Sequence, residues 1–252
     1  LDPRADPDRR DLVTPSLPGL DIIIPVFNEG PAIRRVYEHL AKALDTHVSW
    51  RAFFVYDFPQ DTTLPILEEL AQKDKRVIPT LQTYGKGVVN ALKFGFHATH
   101  DGPVAVVMGD DSDDLEQLPA MLQLYEQHQA AVVACSRYSR GGAYLGGSWL
   151  KKHLSRLAGR LLHFGGVNTS DPTNNFKLYR NSFLRQVSVE SRGGFEIALE
   201  LTLKATMLRL PVCEVPGTWS DRVEGVSKFR LFKWMPHYLS WFNRYWWWKL
   251  AG

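Results

Sequence analysis

Pro103–Pro119 reads PVAVVMGDDSDDLEQLP. Val104 to Met108 form an unbroken apolar run with the length of a strand buried on both faces. The run stops at Gly109 and gives way at once to Asp110, Asp111, Asp113 and Asp114. Carboxylates this close repel one another unless a positive charge sits among them. In an extended segment, alternate side chains share a face, so Asp111 and Asp113 would grip one cation together while Asp110 points elsewhere. A hard divalent ion held by one or two carboxylates completes its shell with water and substrate phosphates. The same residues also read as a helix cap, with Ser112 or Asp113 opening a helix near Leu115 and the acids favouring its positive end. A cap accounts for one or two of the acids and leaves the others over.

Upstream of this stretch, strands and helices alternate. Leu20–Phe27 is a β-branched strand, predicted to end or bulge at Pro25, which has no N–H for a ladder. Asn28-Glu29-Gly30-Pro31 supplies a turn and a Pro at a helix start, and Ile33, Val36, Tyr37, Leu40 and Leu44 keep helical spacing. Trp50–Tyr56 and Val77–Leu81 read as further strands. The first leads through Asp57-Phe58-Pro59-Gln60-Asp61 into a helix carrying Leu64, Leu67 and Leu70; the second leads through Tyr84-Gly85-Lys86-Gly87 into one carrying Val89, Leu92 and Phe96. This alternation predicts an α/β fold on a doubly wound, mostly parallel sheet. In such sheets ligands bind beyond the carboxyl ends of the strands. Asn28-Glu29, Asp57, Gly85-Lys86-Gly87 and the Asp110–Asp113 cluster all fall at such ends. Each alone is an ordinary turn composition, and Gly85-Lys86-Gly87 lacks Walker spacing; their coincidence is what points to a site.

Downstream, a helix over Leu115–Gln127 precedes a strand, Ala130–Ser136, that ends in Arg137-Tyr138. Gly141–Gly147 reads as a mobile glycine-rich loop, and Trp149–Phe164 as a helix. Asp171-Pro172-Thr173-Asn174-Asn175 leads into a strand at Phe176–Tyr179. Phe195–Leu208 is helical and carries Glu196 and Glu200 on one face; two exposed glutamates on a helix need no function, the reading preferred for Glu196. Val212–Val215 is a last strand, leading into a polar loop with Arg222 and Lys228.

The ends differ in character. Residues 1–19, rich in Asp, Arg and Pro, read as a flexible arm. The stretch from Phe229 to the C-terminus holds five of the eight tryptophans, interrupted by Lys233, His237, Asn243, Arg244 and Lys249. Pro236 would kink or restart a helix there. Trp and Tyr mixed with Lys and Arg suit a segment lying in a membrane interface; rings packed on the domain's own core or on a second subunit fit equally. A net charge of +3 over 252 residues, without a long basic run, gives no reason to expect nucleic acid. Cys135 and Cys213 sit far apart in apolar runs and read as buried free thiols. No stretch approaches the ~20 apolar residues that cross a bilayer, and the first residues show no signal-peptide core, so a cytoplasmic location is expected.

Taken in order, these motifs resemble the family 2 glycosyltransferases of GT-A fold, in the branch of dolichyl- or polyprenyl-phosphate sugar synthases. Ile24-Pro25-Val26-Phe27-Asn28-Glu29 looks like the family's opening I-P-x-Y/F-N-E, which contacts base and ribose. Val55-Tyr56-Asp57 stands where the family has V-D-D, with Asp57 as the retained acid; Tyr56 and Phe58-Pro59-Gln60 depart from its usual D-G-S-T. Gly109 aligns with the first acid of the family's D-x-D, Asp111 with the second and Asp113 with a polar position beyond, so the first acid is lost or shifted to Asp110. Ser136-Arg137-Tyr138 is similar to S-R-Y, whose Arg lies over the sugar phosphate. Asp171–Arg180 is similar to D-x-T-x-x-F-R-L-Y-R, and Glu214-Val215-Pro216 with Asp221-Arg222 and Ser227-Lys228 to E-V-P…D-R…S-K. Glu200 precedes Glu214 as the family's helix glutamate does.

The resemblance implies a single GT-A (Rossmann-like) domain over residues 20–228, followed by an aromatic, basic tail at 229–252. It implies an inverting, nucleotide-sugar-dependent glycosyltransferase with a GDP-mannose or UDP-sugar donor and a divalent cofactor, Mg²⁺ or Mn²⁺. The metal set is Asp110, Asp111 and Asp113, with Asp111 the principal ligand. Donor contacts fall on Pro25, Phe27, Glu29, Val55, Asp57, Gly85, Lys86, Gly109, Asp110, Asp111, Arg137, Arg222 and Lys228. Arg222 and Lys228 hold the donor diphosphate and the acceptor phosphate. A lipid-phosphate acceptor, already ionised, needs no general base, and would place the protein peripherally at the cytoplasmic face of a membrane; a glycan hydroxyl needs one, for which Asp171 or Glu200 is available. The loops at 139–147 and 217–228 are expected lids. The competing classes are a nucleotidyltransferase, whose glycine-rich basic loop after the first strand is missing here, and a non-catalytic GT-A-like binding module, favoured only by the glycine at position 109.

Overall fold

A computed structural model describes residues 19–100, 102–221 and 231–251. The elements run β1 (Leu20–Val26), α1 (Ala32–Leu44), β2 (Trp50–Tyr56), α2 (Leu64–Lys73), β3 (Val77–Leu81), α3 (Val88–Ala98) and β4 (Pro103–Val106). A 3₁₀ turn at Leu115–Gln117 leads into α4 (Leu118–His128), β5 (Val132–Ser136), β6 (Ala143–Leu145) and α5 (Trp149–Phe164). There follow β7 (Lys177–Arg180), α6 (Asn181–Gln186), α7 (Ile197–Met207), β8 (Val212–Pro216), β9 (Thr218–Ser220) and α8 (Leu231–Ala251).

The main sheet has seven strands in the order β3-β2-β1-β4-β7-β5-β8. Strands β1 to β4 are mutually parallel, β7 is antiparallel to both β4 and β5, and β8 is parallel to β5. The carboxyl ends of six strands and the amino end of β7 therefore share one sheet edge. Along β1 the alternation is clean. Leu20, Ile22, Ile24 and Val26 join the core formed with α1, α2 and α4, whereas Ile23 joins the core formed with α3, α6 and α7. The result is a helix–sheet–helix sandwich, the doubly wound α/β architecture expected from the sequence.

Several local expectations are corrected. β1 does not end at Pro25: Pro25 pairs in register with Val55 and the strand runs to Val26. Ile23 C=O accepts from Val107 N–H on the β4 side, and by alternation Pro25 faces that side too, beyond the last β1–β4 pair (Ile23 with Val106). The missing N–H therefore falls where the ladder has stopped. The glycine-rich stretch expected to be a loop contains β6, which pairs in parallel with β9, so the two expected lids meet in one two-stranded unit. Glu196 and Glu200 are not exposed; both are buried. α8 continues through Pro236 instead of restarting there. Cys135 is buried and Cys213 half-buried, both as free thiols.

The tail divides. Trp241 and Tyr245 pack with Leu162, Val167, Leu199 and Leu203, and Tyr245 Oη donates to Gly165 O at 2.8 Å. Trp247 stays 78% exposed. No helix among the described residues is long and apolar enough to cross a membrane.

Candidate active site

Strand order places the topological switch between β1 and β4, since the chain runs outward through β2 and β3 and then returns to the other side of β1. Gly109 sits in that crevice. A Cβ there would lie 3.2 Å from both Pro25 O and Val26 Cγ1 and 3.4 Å from Glu29 Cγ. The chain leaving β4 thus runs close against the end of β1, and a side chain at this position would need its neighbours to give by a few tenths of an ångström.

The loops after β1 and β2 are latched together. Asp61 is 2% exposed and accepts from Asn28 N–H at 3.0 and 3.1 Å and from Thr63 N–H at 2.8 Å. Thr63 Oγ1 accepts from Glu29 N–H at 2.9 Å. Asn28 takes a left-handed φ of 55°, which an Asx side chain tolerates, and its Oδ1 accepts from Thr62 N–H at 3.0 Å. Phe27, 42% exposed, meets Phe58 edge-on at 5.6 Å, and Lys86 Nζ lies 5.9 Å above the Phe58 ring. Asp57 accepts from Gln82 Nε2 at 2.7 Å and from Gly87 N–H at 2.8 Å. It thereby ties the loop before α3, including Gly85 and Lys86, to the end of β2. Val55 and Pro25 lie inside the sheet, with Val55 wholly buried, so of this pair only backbone can reach a ligand.

The acids after β4 do not lie on an extended strand; the chain turns there, with Asp111 at φ 60°. The geometry that put Asp111 and Asp113 on one face is absent. Asp111 turns toward α1, where Oδ1 lies 2.8 Å from His39 Nδ1 and Oδ2 3.2 Å from Arg35 Nε. Asp110 Oδ1 accepts from Ser112 Oγ at 2.6 Å, and Asp113 Oδ2 accepts from Met108 N–H at 2.9 Å. No acid acts as a helix cap: neither the 3₁₀ turn nor α4 has a side-chain cap hydrogen bond. Asp114 Oδ2 instead accepts from Thr218 N–H at 3.1 Å, and Ser112 C=O from Ser220 N–H at 3.1 Å, which fastens β9 to the acid turn.

Burial pushes the Asp113 carboxyl up to about 7, with the Asp110 and Asp111 charges adding and the Met108 N–H opposing. A carboxylate held against its own desolvation beside another acid suits a cation. Asp110 and Asp113 stay on the strand-end side of the turn, whereas Asp111 is engaged by α1. Among the described residues no group of three or more His, Cys, Asp or Glu is placed to hold a metal ion by itself.

Across the edge, Arg137 and Asp171 form a two-pronged ion pair. Arg137 Nε lies 2.6 Å from Asp171 Oδ2 and an η nitrogen 2.8 Å from Oδ1, while Arg137 N–H donates to Oδ2 at 3.1 Å. Burial works against the charge on Asp171, yet the Arg137 guanidinium holds its carboxyl below the usual carboxylate range. The guanidinium carbon sits 5.2 Å from the Tyr138 ring centroid and 5.3 Å from that of Tyr144 in β6. Lys177, wholly buried, donates to the carbonyls of Asp171, Pro172 and Asn174. Glu214 accepts from Ser170 N–H at 2.8 Å and Thr169 Oγ1 at 2.9 Å, which fixes the same loop from β8. Glu200 accepts from Glu190 N–H and Ser191 N–H, each at 2.7 Å, and pairs with Lys204 at 2.8 Å.

The sequence-derived candidates Asn28-Glu29, Asp57, Gly85-Lys86, Asp110–Asp113, Arg137 and Asp171 thus share one sheet edge. Glu200 lies behind it as a strut for residues 190–191, and Arg222 and Lys228 lie outside the described residues. Sequence reading missed Asp61, Gln82 and Lys177. All three are buried polar side chains bonded to loop backbone, and the cue available was a turn-rich, otherwise unexplained Asp61-Thr62-Thr63 and a lysine inside a strand.

A model of "Glycosyl transferase family 2" matches residues 21–188. A dolichol-phosphate mannosyltransferase of Mycosarcoma maydis is 25% identical over 232 residues, covering 89% of this chain and 78% of that protein. A dodecaprenyl-phosphate galacturonate synthase of Rhizobium johnstonii is 24% identical over 215 residues, covering 83% of this chain; the chain spans only 61% of that relative's length. Among solved structures, glucosyl-3-phosphoglycerate synthase from Mycobacterium tuberculosis, crystallised with Mn²⁺, UDP-glucose and glycerol 3-phosphate, superposes with a TM-score of 0.64 at 14% identity. That match covers 90% of this chain and 79% of the other. The family model spans most of the sheet and every strand end that bears the acids, and the chain belongs to glycosyl transferase family 2.

Proposed function

We propose that this glycosyltransferase moves a sugar from a nucleotide diphosphate onto a polyprenyl-type lipid phosphate, with inversion at the anomeric carbon. The observation that carries the acceptor class is the state of the two carboxylates the sequence offers as general bases. Asp171 is locked by Arg137 and Glu200 by the 190–191 backbone and Lys204, so neither is poised to take a proton from a sugar hydroxyl. A phosphate acceptor is ionised at neutral pH and asks for none. The acceptors named for the fungal and rhizobial relatives are of this class.

In this reading the nucleoside enters between the Asn28-Glu29 loop and the Asp57–Lys86 loop, where Phe27 and Phe58 offer aromatic surface and Lys86 a cation. Asp110 and Asp113 hold a divalent ion, Mg²⁺ or Mn²⁺; when bound, it supplies positive charge to the departing diphosphate. Arg222 and Lys228, assigned from sequence motifs alone, bring donor and acceptor anions together. The Arg137–Asp171 pair orients Tyr138 and Tyr144 at the acceptor side instead of binding phosphate directly. A lipid acceptor supports a peripheral position at a membrane, on this reading at its cytoplasmic face.

The test is transfer to polyprenyl phosphate from a panel of GDP- and UDP-sugars with Mg²⁺ or Mn²⁺. Lipid-linked sugar formed with one donor and lost on chelation supports the reading; transfer to a free saccharide hydroxyl and none to prenyl phosphate refutes it.

A further inference from the structure

We propose that the cavity between α3 and the loop at 191–193 receives the sugar of the donor, and that its cations select a hexuronate, a sugar bearing a carboxylate, over a neutral hexose. The inference deepens the nucleotide-sugar reading and rests on it for the donor. On one face of the sheet, Ile23 of β1 and Val104 and Val106 of β4 share a core with α3 and α7. Those two helices therefore flank the switch pair. α3 lies hard against β1, since a Cβ on Gly95 would fall 2.5 Å from Ile23 Cγ2. Between the start of α3 and the loop entering α7 lies a cavity of about 220 Å³. Sites for whole small molecules run from roughly 300 Å³ upward. This one suits a part of the donor, one pyranose ring, beside the Lys86 loop.

Its wall is positive. Lys86 comes from the loop before α3, Lys93 from the second turn of α3 and Arg192 from the loop before α7, and no Asp or Glu lines the cavity among the described residues. α3 has no acid in its first turn. The neighbouring carboxylates are bonded elsewhere. Asp57 takes Gln82 Nε2 and Gly87 N–H, and Glu196 takes the N–H groups of Gly193 and Gly194. Glu200 takes those of Glu190 and Ser191, and Glu190 pairs with Lys204 and Arg244. Among the described residues neither Lys86 nor Arg192 has an ion-pair partner. Lys93 Nζ donates to Ser191 O at 3.2 Å, which leaves two of its three N–H groups for a ligand.

Donor and acceptor counting selects the occupant. Hydroxyls of a neutral sugar both donate and accept, and a pocket built for them supplies carboxylate or amide oxygens to take their protons. Here two ammoniums and a guanidinium offer N–H groups alone, beside the single amide of Asn90. A carboxylate only accepts, and a guanidinium meets it with two parallel bonds. A sugar whose terminal carbon is oxidised to the acid therefore fits this wall, whereas a neutral hexose leaves the cations without counter-charge. The loop is held from behind by Glu196 and Glu200, so the wall stands before the ligand arrives and little ordering cost is left to binding.

The test is calorimetry of the full chain with Mn²⁺. UDP-glucuronate and UDP-galacturonate are compared with UDP-glucose and UDP-galactose, and GDP-mannuronate with GDP-mannose. At least one acid should bind about tenfold or more tightly than its neutral counterpart. Arg192→Met and Lys93→Met should each cut that ratio by about fivefold or more. Arg192→Lys, which keeps the charge, should retain more of it than Arg192→Met. Arg192 is exposed and Lys93 half-buried, and unchanged urea midpoints check that the variants fold. Equal affinities, a preference for neutral donors, or no binding by any of them overturns the proposal. So does a ratio that neither variant moves; a raised KM for prenyl phosphate in those variants would then give the cations to the acceptor phosphate. No acceptor is present in the calorimetry, so the lipid-phosphate reading fails separately. Acid-selective binding without transfer to prenyl phosphate sinks the acceptor assignment alone; transfer confined to neutral sugars sinks the hexuronate assignment alone.

Discussion

Removing the guanidinium at position 137 asks whether Asp171 is a counter-ion or a base. Asp171 is wholly buried, and its partner's side chain is 12% exposed. In Arg137→Ala the carboxylate loses both charge-assisted side-chain bonds and keeps Arg137 N–H at 3.1 Å and Thr173 Oγ1 at 3.3 Å. Breaking a buried pair from one side costs about 3–5 kcal/mol. The two remaining donors, and the Lys177 ammonium bonded to the same loop, place this case at the lower end, about 3 kcal/mol. For a chain this size that lowers Tm by roughly 10 °C. Asp171→Asn should cost a comparable amount, because it leaves the guanidinium buried without its charge partner. Arg137→Ala combined with Asp171→Asn should cost less than the sum of the two, giving a coupling of more than about 1.5 kcal/mol in a double-mutant cycle. Urea unfolding of the four proteins reads all of these values. Additive single losses, or an Arg137→Ala cost under about 1 kcal/mol, would refute the counter-ion account. Transfer measured on the same proteins completes the argument. An Asp171→Asn protein as stable as the parent but inactive would restore Asp171 as a base.

Two further outcomes follow from the site. Burial depresses the Lys177 ammonium from 10.5 to about 7, against the pull of Asp171. Between those values the unfolded chain holds a proton that the native one has released, so stability rises with pH from about 7 to about 10.5, by at most roughly 5 kcal/mol. Urea midpoints at pH 7 and pH 9 should climb in the parent and stay flatter in Lys177→Met; equal slopes would count against a neutral buried amine. For the acid turn, Asp113→Asn and Asp110→Asn should each weaken Mn²⁺ binding in the presence of nucleoside diphosphate by about tenfold or more. Asp111→Asn should change it less, and calorimetry that ranks Asp111 first would return the metal to the residue the D-x-D alignment favours.

Much of the sheet was legible because its rules are local. Each parallel strand is an apolar run with turn residues at its carboxyl end, and these ends fall on one edge whatever the details of packing. Asn28-Glu29, Asp57, Gly85-Lys86 and the acid turn were found that way. The choice among the acids was not local. It depends on Arg35 and His39, one helical turn apart on α1 and more than seventy positions from Asp111, and on Gly109 meeting the end of β1. Glu196 looked like surface because it shares one helix face with Glu200 at i, i+4. In the fold its carboxylate accepts from Gly193 N–H at 2.7 Å and Gly194 N–H at 2.6 Å, bonds that only the bend before α7 creates.

α5 marks where pattern reading stops. Its spacing identifies a helix from Trp149 to Phe164, and a moment of that period has a direction about the axis but no label saying which side is inside. The usual assumption puts the apolar arc against the core. Gly159 reverses it: the one position without a side chain lets the helix approach Ser170 to a distance that a Cβ would forbid, and Ser170 is in turn held by Glu214. The side opposite Gly159 must then face out, and it carries Leu157 and Phe164. The packing of one glycine on a loop bonded to β8 thus turns the apolar arc outward.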